Sequence, residues 1–273
     1  DGATFVIPPQ LSISVSDSVD ISASDVSLVM TGATVTQTGE FKKTFNFTNA
    51  GAAKVTGGTL IGRGTEHDGL SSSYNGVAAI YLDTPVGAVV EGVKCSGHAG
   101  GSIRFVDADG LTVKLCELAG IGAAGGISFL DNNGDFAIGS FGSTADNGVV
   151  VSICDISGHC FGVGASRGSA MRVVDSHIHD IPGQHGVYAS SMSDLIVSNN
   201  RFYNIAAEGV KNQIATSATP IIGTTITDNI FRLIGQSAIV LGRTTSVSSS
   251  PMSNVIVDDN TIYDVGNYFV SLR

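Results

Sequence analysis

Leu195-Ile196-Val197-Ser198-Asn199-Asn200-Arg201-Phe202-Tyr203-Asn204-Ile205 is the stretch whose reading decides the fold. Leu195 and Val197 alternate with Ile196, and Phe202 and Ile205 bracket two polar residues. Period-2 alternation of this kind marks a strand with one buried face. The pattern recurs. Phe202-Tyr203-Asn204-Ile205 aligns with Ile153-Cys154-Asp155-Ile156, Ile178-His179-Asp180-Ile181, Phe231-Arg232-Leu233-Ile234 and Ile262-Tyr263-Asp264-Val265, at successive spacings of 25, 24, 29 and 31 residues. Val93-Lys94-Cys95 and Leu115-Cys116-Glu117 extend the series toward the N-terminus. A repeat of this length is the signature of a solenoid.

Each repeat carries two further strands. An earlier one shows Met171/Val173, Leu195/Val197, Ile226 and Val255/Val257, and a later one is anchored by Ile103, Ile127, Val163, Val187, Val210 and Ile239. The expected fold is therefore all-β: a right-handed parallel β-helix with three strands and three turns per coil. Ser176, Asn200, Asn229 and Asn260 stand two residues before the central anchor. Polar residues repeated at one coil position predict a buried ladder that satisfies turn backbone groups. The first 60 residues supply the opening coils, with Thr4-Phe5-Val6-Ile7 stopped by Pro8-Pro9. Long insertions fall at about 62–79, 132–147 and 243–254. No linker interrupts the pattern, so residues 1–273 are expected to be one domain. The chain starts at Asp1 and not Met, and is expected to be excised from a longer protein.

Composition agrees with many short strands and tight turns. Glycine accounts for 35 of 273 residues and charged residues for only 14%, against about a quarter in typical domains. The net charge of −10, with 14 scattered basic residues, argues against nucleic acid, which needs clustered Lys and Arg. No run of 18 apolar residues is present, so no membrane insertion is expected. Cys95, Cys116, Cys154 and Cys160 form no CxxC pair and no zinc spacing with histidine. They read as buried thiols.

The opening Gly2-Ala3-Thr4-Phe5-Val6-Ile7-Pro8-Pro9, His185-Gly186-Val187-Tyr188 and Ser198-Asn199-Asn200-Arg201-Phe202-Tyr203-Asn204 resemble the pectate-lyase-like β-helix superfamily. Within it the chain is most similar to bacteriophage tailspike polysaccharide depolymerases. The resemblance spans nearly the whole chain, and its motifs specify coil geometry. It implies an extracellular or virion-associated protein, a bacterial surface polysaccharide as partner, and a parallel homotrimer. The Asp-Pro-His-Glu motif of alginate epimerases and the Trp-Ile-Asp-His motif of pectate lyases are missing; the chain has no tryptophan.

Equivalent positions on adjacent coils lie about 4.8 Å apart, so aligned columns predict spatial neighbours. On the third strand, one residue past the anchor, the column reads Arg104, Ser128, Gly164, Tyr188, Lys211 and Val240. Four past it reads Asp107, Asp131, Arg167, Ser191, Ile214 and Arg243, and two before it reads Gly101, Gly125, Phe161, His185, Glu208 and Ser237. This alignment puts Asp107 beside Asp131, the paired carboxyls that glycoside hydrolysis needs. His185, Tyr188, Glu208 and Lys211 follow on the same face. They are the types a lyase needs to take the proton α to a uronate and to neutralise its carboxylate. The competing reading makes both aspartates turn-formers and the others solvated surface. Arg104 and Arg167 are candidate substrate contacts, alongside a second outward column of Cys116, Cys154, His179, Tyr203, Arg232 and Tyr263. From that column His179, Tyr203 and Arg232 could stack on or pair with sugars.

No metal or other cofactor is expected. Glu66-His67-Asp68 reads as a solvated loop. His177-x-His179 has the form of a metal pair, but its rings share a face only where strand pairing is regular. Arg172, Ile196, Thr225 and Ile256 form an outward strip on the first strand, where apolar residues need a cover and a subunit contact could supply it. Three functions remain open: a hydrolase or lyase acting on polysaccharide, a non-catalytic carbohydrate-binding β-helix, and a structural segment of a fibre.

Overall fold

The computed structural model describes residues 2–39, 42–63, 78–98, 100–121, 136–140, 145–214, 220–243 and 251–272. No helix occurs among them, so none is long and apolar enough to cross a membrane. The strands form three parallel sheets of ten strands each. Every third strand in sequence pairs with its predecessor. The first sheet runs from Thr4–Val6 to Met252–Asp258, the second from Ser12–Val15 to Thr261–Val265, and the third from Val19–Ile21 to Val270–Leu272. This is the right-handed parallel β-helix expected.

Stacked aliphatic columns form the core. Val173, Val197, Ile226 and Val257 are successive partners in the first sheet. The first three are fully buried, and Val257 packs on the core from its edge. Ile178, Phe202, Phe231 and Ile262 do the same in the second sheet, where the Phe202 and Phe231 rings stack at 4.7 Å. Burial of one such side chain contributes about 1.5–3 kcal/mol. Repetition over ten coils offsets the absence of any large layer.

The polar column at the turn is a ladder. Asn200 Nδ2 donates to Val173 O at 2.8 Å and Ser198 O at 3.0 Å, while its Oδ1 accepts from Ser176 N at 2.9 Å. Asn229 repeats this with Val197 O, Thr227 O and Asn200 N. Asn260 donates to Ile226 O and Asp258 O and accepts from Asn229 N. Each amide thus closes its own turn and ties it to the coil before.

Three alignments need correction: Cys95, not Val93, pairs with Leu118. Ile178 pairs with Ile156, not Ile153, and Ile156 pairs with Leu118, not Leu115. Ile153 and Leu115 are exposed, at positive φ of 53° and 56°. The apolar-x-x-apolar signature fits two phases three residues apart, and sequence spacing chose the wrong one. Cys116 and Cys154 therefore leave the outer column and enter the ladder. Cys154 Sγ approaches Ser152 O at 3.3 Å and Val113 O at 3.8 Å, and Cys116 Sγ approaches Lys114 O at 3.2 Å and Val90 O at 3.8 Å. These are the contacts the asparagines make, in weaker form. All four cysteines are buried.

In the third sheet the strand after Gly101–Val106 is Phe136–Gly139, and Ile103 pairs with Ile138. Ile127, the expected anchor, lies outside the described residues, as do Gly125, Ser128 and Asp131. The expected insertion at 132–147 thus contains a strand of the solenoid.

Candidate functional site

The outward column of the third sheet reads Tyr81, Arg104, Gly139, Gly164, Tyr188, Lys211 and Val240. Two glycines at its centre admit an aromatic ring from the neighbouring column. A Cβ on Gly139 would lie 2.6 Å from the Phe136 ring, and one on Gly164 only 2.2 Å from it. Phe136 stacks on Phe161 at 4.4 Å. Phe161 meets His185 edge-on at 5.6 Å and Tyr188 at 5.8 Å, and His185 stacks on Tyr188 at 5.2 Å. Phe136, Cys160 and Phe161 form a buried cluster separate from the main core, with Tyr188 packed against it. Arg104 is buried beside this wall, its guanidinium 5.7 Å from the Phe136 ring.

A charged network lies at the far end of the aromatic row. His185 Nδ1 is 2.7 Å from Glu208 Oε2, and His185 Nε2 is 3.4 Å from Lys211 Nζ. The network assigns the tautomer. Nδ1–H donates to the carboxylate, so Nε2 carries the lone pair that faces the ammonium. Burial pushes the His185 pKa down, and the Lys211 charge adds to this against the pull of Glu208. The imidazole is therefore neutral at pH 7. Burial alone would raise the Glu208 pKa, but the hydrogen bond from His185 and the Lys211 charge outweigh it and hold the carboxylate ionised. Tyr188 accepts a short hydrogen bond from Gln213 Nε2. Its phenol is pushed up by burial, against opposing hydrogen bonds to Gln213 and Ser190. His185 and Glu208 are 4% and 3% exposed; Tyr188 and Lys211 are half-buried and form the network's outer surface.

The structure brings together His185, Tyr188, Glu208 and Lys211, but it does not add Asp107 to them. Asp107 has a φ of 57°, a left-handed turn conformation shared by Thr84, Arg167 and Ser191 of its column. It is a turn position, so the turn-former reading holds there. Asp131, its expected neighbour, lies outside the described residues, and the described strand paired with Ile103 on that side carries Ile138. The carboxyl that Asp107 influences is Asp146, which caps the turn by accepting from Ala108 N at 3.3 Å and Ser166 N at 3.2 Å. Burial first, and the Asp107 charge last, raise the Asp146 pKa.

The other expected contacts lie elsewhere. Arg167 is an exposed turn residue on the Asp107 column. His179, Tyr203 and Arg232 stack along the outside of the second sheet, continued by Tyr263. The Arg232 guanidinium sits 5.9 Å from the Tyr203 ring and 5.8 Å from Tyr263, with Asp264 at 3.7 Å. Phe136 and Gln213 went unread in the sequence. Gln213 was legible as the residue two past Lys211 on the same face. Phe136 required the correct third-sheet register.

Three comparisons place the chain. A family model described as "Right handed beta helix region" matches residues 78–272. No curated protein sequence matches. Among solved structures, a tailspike double mutant of E. coli bacteriophage HK620 in complex with a pentasaccharide superposes with a TM-score of 0.67 at 14% identity, covering 100% of this chain and 53% of that one. The Dettilon tailspike protein gives 0.61 at 13% identity, covering 99% and 54%. A periplasmic alginate epimerase gives 0.55 at 12%, covering 99% and 78%. At these identities the likeness is one of fold, and the chain spans about half the length of the tailspike chains.

Proposed function

The chain belongs to the right-handed β-helix family, and on that premise we propose that it is a polysaccharide depolymerase of the lyase type. It acts on uronate-containing bacterial surface glycan, outside the cell or on a virion. The observation that carries this reading is the oriented imidazole: His185 fixed by Glu208 at 2.7 Å, its bare Nε2 turned toward Lys211 at 3.4 Å, with the Tyr188 phenol alongside. Lys211 turns to the uronate carboxylate, neutralising it and uncovering Nε2. His185 takes the proton α to that carboxylate, and Glu208 stabilises the imidazolium. The electron pair left behind forms the C4–C5 double bond and expels the glycosidic oxygen at C4. That oxygen takes the Tyr188 proton, and water carries the proton held by His185 back to the phenolate. A phenol with a raised pKa arrives protonated, as a donor must.

Hydrolysis fits less well. It needs two carboxyls about 5–9.5 Å apart. Asp107 is four coils from Glu208, roughly 19 Å along the axis at the strand spacing, and Asp146, the carboxyl that Asp107 does influence, is 1% exposed with its oxygens taken up by Ala108 N and Ser166 N. The burial of His185 and Glu208 favours one alternative, a binding surface in which the network only holds Tyr188 and Lys211 in place. Screening capsule and lipopolysaccharide preparations separates the readings. Unsaturated uronate released by the parent and lost in Lys211→Ala supports the lyase, whereas new reducing ends without unsaturation mark a hydrolase. Glycan retained without any product marks a binding protein.

The intact protein is proposed to be a homotrimer with Ile196 and Ile256 at its contact. Ile196 is half-buried and Ile256 is 54% exposed on the outer strip of the first sheet. Light scattering checks this. A monomer at micromolar concentration overturns it.

A further inference from the structure

We propose that Asp155, His177 and His179, on the outside of the second sheet, form a binding site for a divalent transition-metal ion of the zinc class. The strand pairing that the sequence left open is regular here. Asp155 pairs with His177, which pairs with Arg201, and Ser157 pairs with His179, which pairs with Tyr203. His177 and His179 therefore face the same way, their rings stacked at 4.2 Å, and Asp155 reaches them from the coil below. Asp155 Oδ1 lies 3.2 Å from His177 Nδ1 and 3.1 Å from His179 Nε2. One donor atom from each residue falls within 4.8 Å of the others. Tetrahedral zinc with bonds of about 2.0–2.1 Å requires donors roughly 3.3–3.4 Å apart, so small side-chain shifts suffice.

A second, independent feature points to an ion. His179 Nδ1 is 2.8 Å from Asp180 Oδ2, so carboxylates face both nitrogens of one ring. With Nδ1 turned to Asp180, Nε2 and the Asp155 carboxylate face one another across 3.1 Å, and a metal ion between them would be bound by both. A carboxylate behind a histidine ligand is the usual device for fixing the metal-binding tautomer. Asp180 is itself held by Asn204 Nδ2 on the next coil at 2.6 Å. Asp155 and His177 are exposed and His179 is half-buried, so an ion can enter from solvent. Arg201 is the opposing charge beside His177. Glu117, the partner of Asp155 on the other side, is engaged by Lys94 at 2.7 Å. Three protein ligands leave a fourth position for water.

The experiment is a titration of chelator-stripped protein with zinc against a chromophoric competitor, with cobalt as the spectroscopic probe. The expected result is one ion per chain at micromolar affinity or tighter, with visible cobalt bands of tetrahedral intensity. His177→Ala and His179→Ala should each weaken binding at least tenfold. Asp180→Asn, a positioning change, should weaken it about 10–100-fold. All three positions are on the surface, and circular dichroism confirms that the variants fold. Zinc should raise the melting temperature of the parent and not of the His179 variant, while magnesium moves neither. The proposal is overturned if folded parent takes up no zinc at 100-fold excess over chain, or if the His177 and His179 variants bind it as the parent does.

Discussion

The turn ladder and the outer column of the third sheet climb the same solenoid and are built on opposite terms. In the ladder, Cys116, Cys154, Ser176, Asn200, Asn229 and Asn260 do one job, each binding its own turn and the coil before. In the outer column no neighbouring pair repeats except Gly139 and Gly164, and those two make room for a ring. A solenoid stacks like on like at low cost, because the geometry of each coil is that of the last. Departures from repetition are therefore where chemistry is to be sought. The second sheet has its own break, where Asp155, His177 and Arg201 follow one another.

The contrast is broken most severely at the interior. Val197→Asp places a carboxylate between Val173 and Ile226 at a fully buried site. It should cost roughly 4 kcal/mol or more, or abolish soluble expression. A cooperative melt within a few degrees of the parent would show that the interior is not sealed. Next is Asn229→Leu, which strands Val197 O, Thr227 O and Asn200 N. At about 1–3 kcal/mol per buried unsatisfied group, partly relieved by relaxation, a loss of about 2–4 kcal/mol is expected in urea titrations. Glycan binding by the folded fraction should be unchanged. Cys154→Ala, at the same ladder position with weaker bonds, should cost much less, about 1 kcal/mol.

Acid sharpens the comparison through the buried histidines. Burial first, and the neighbouring His159 second, hold His98 at about 3. Burial also holds His185 below its usual value. A depressed histidine pKa means that the unfolded chain binds more protons. Stability is then full above the unfolded value near 6.5 and is lost as pH falls toward the folded value. Each such group contributes a slope of about 1.4 kcal/mol per pH unit inside that window. Urea midpoints should fall steadily from pH 6.5 to 4.5, and His98→Gln should flatten the fall. A midpoint that does not move over this range contradicts it. The smallest effect on stability is expected at the site. Tyr188→Phe removes a half-buried phenol and its bond to Gln213, at a cost within about 1 kcal/mol. Turnover should nevertheless drop by orders of magnitude if the phenol protonates the leaving oxygen, so kinetics and thermal melts on one preparation test the separation.

What the sequence determined by itself was everything that repeats. Alternation in Leu195-Ile196-Val197 and the recurrence of Phe202, Phe231 and Ile262 specified strand, face and coil, because each coil must bury the same stripe. Asn200, Asn229 and Asn260 announced the ladder for the same reason, and Tyr188 beside Lys211 followed from register alone. Tertiary structure decided the points where the repeat was ambiguous or broken. Ile153 and Ile156 both satisfy the coil signature, and only hydrogen-bond register with Ile178 selects Ile156. Loop length is likewise invisible to a periodic pattern, so the pairing of Ile103 with Ile138 in the third sheet had to come from the structure. The pairing of His185 with Glu208, and of His179 with both Asp155 and Asp180, depends on side-chain directions between coils. The column alignment named Glu208 as the neighbour of His185 but set Cys154 beside His179, and only the packed coil sets which atoms meet.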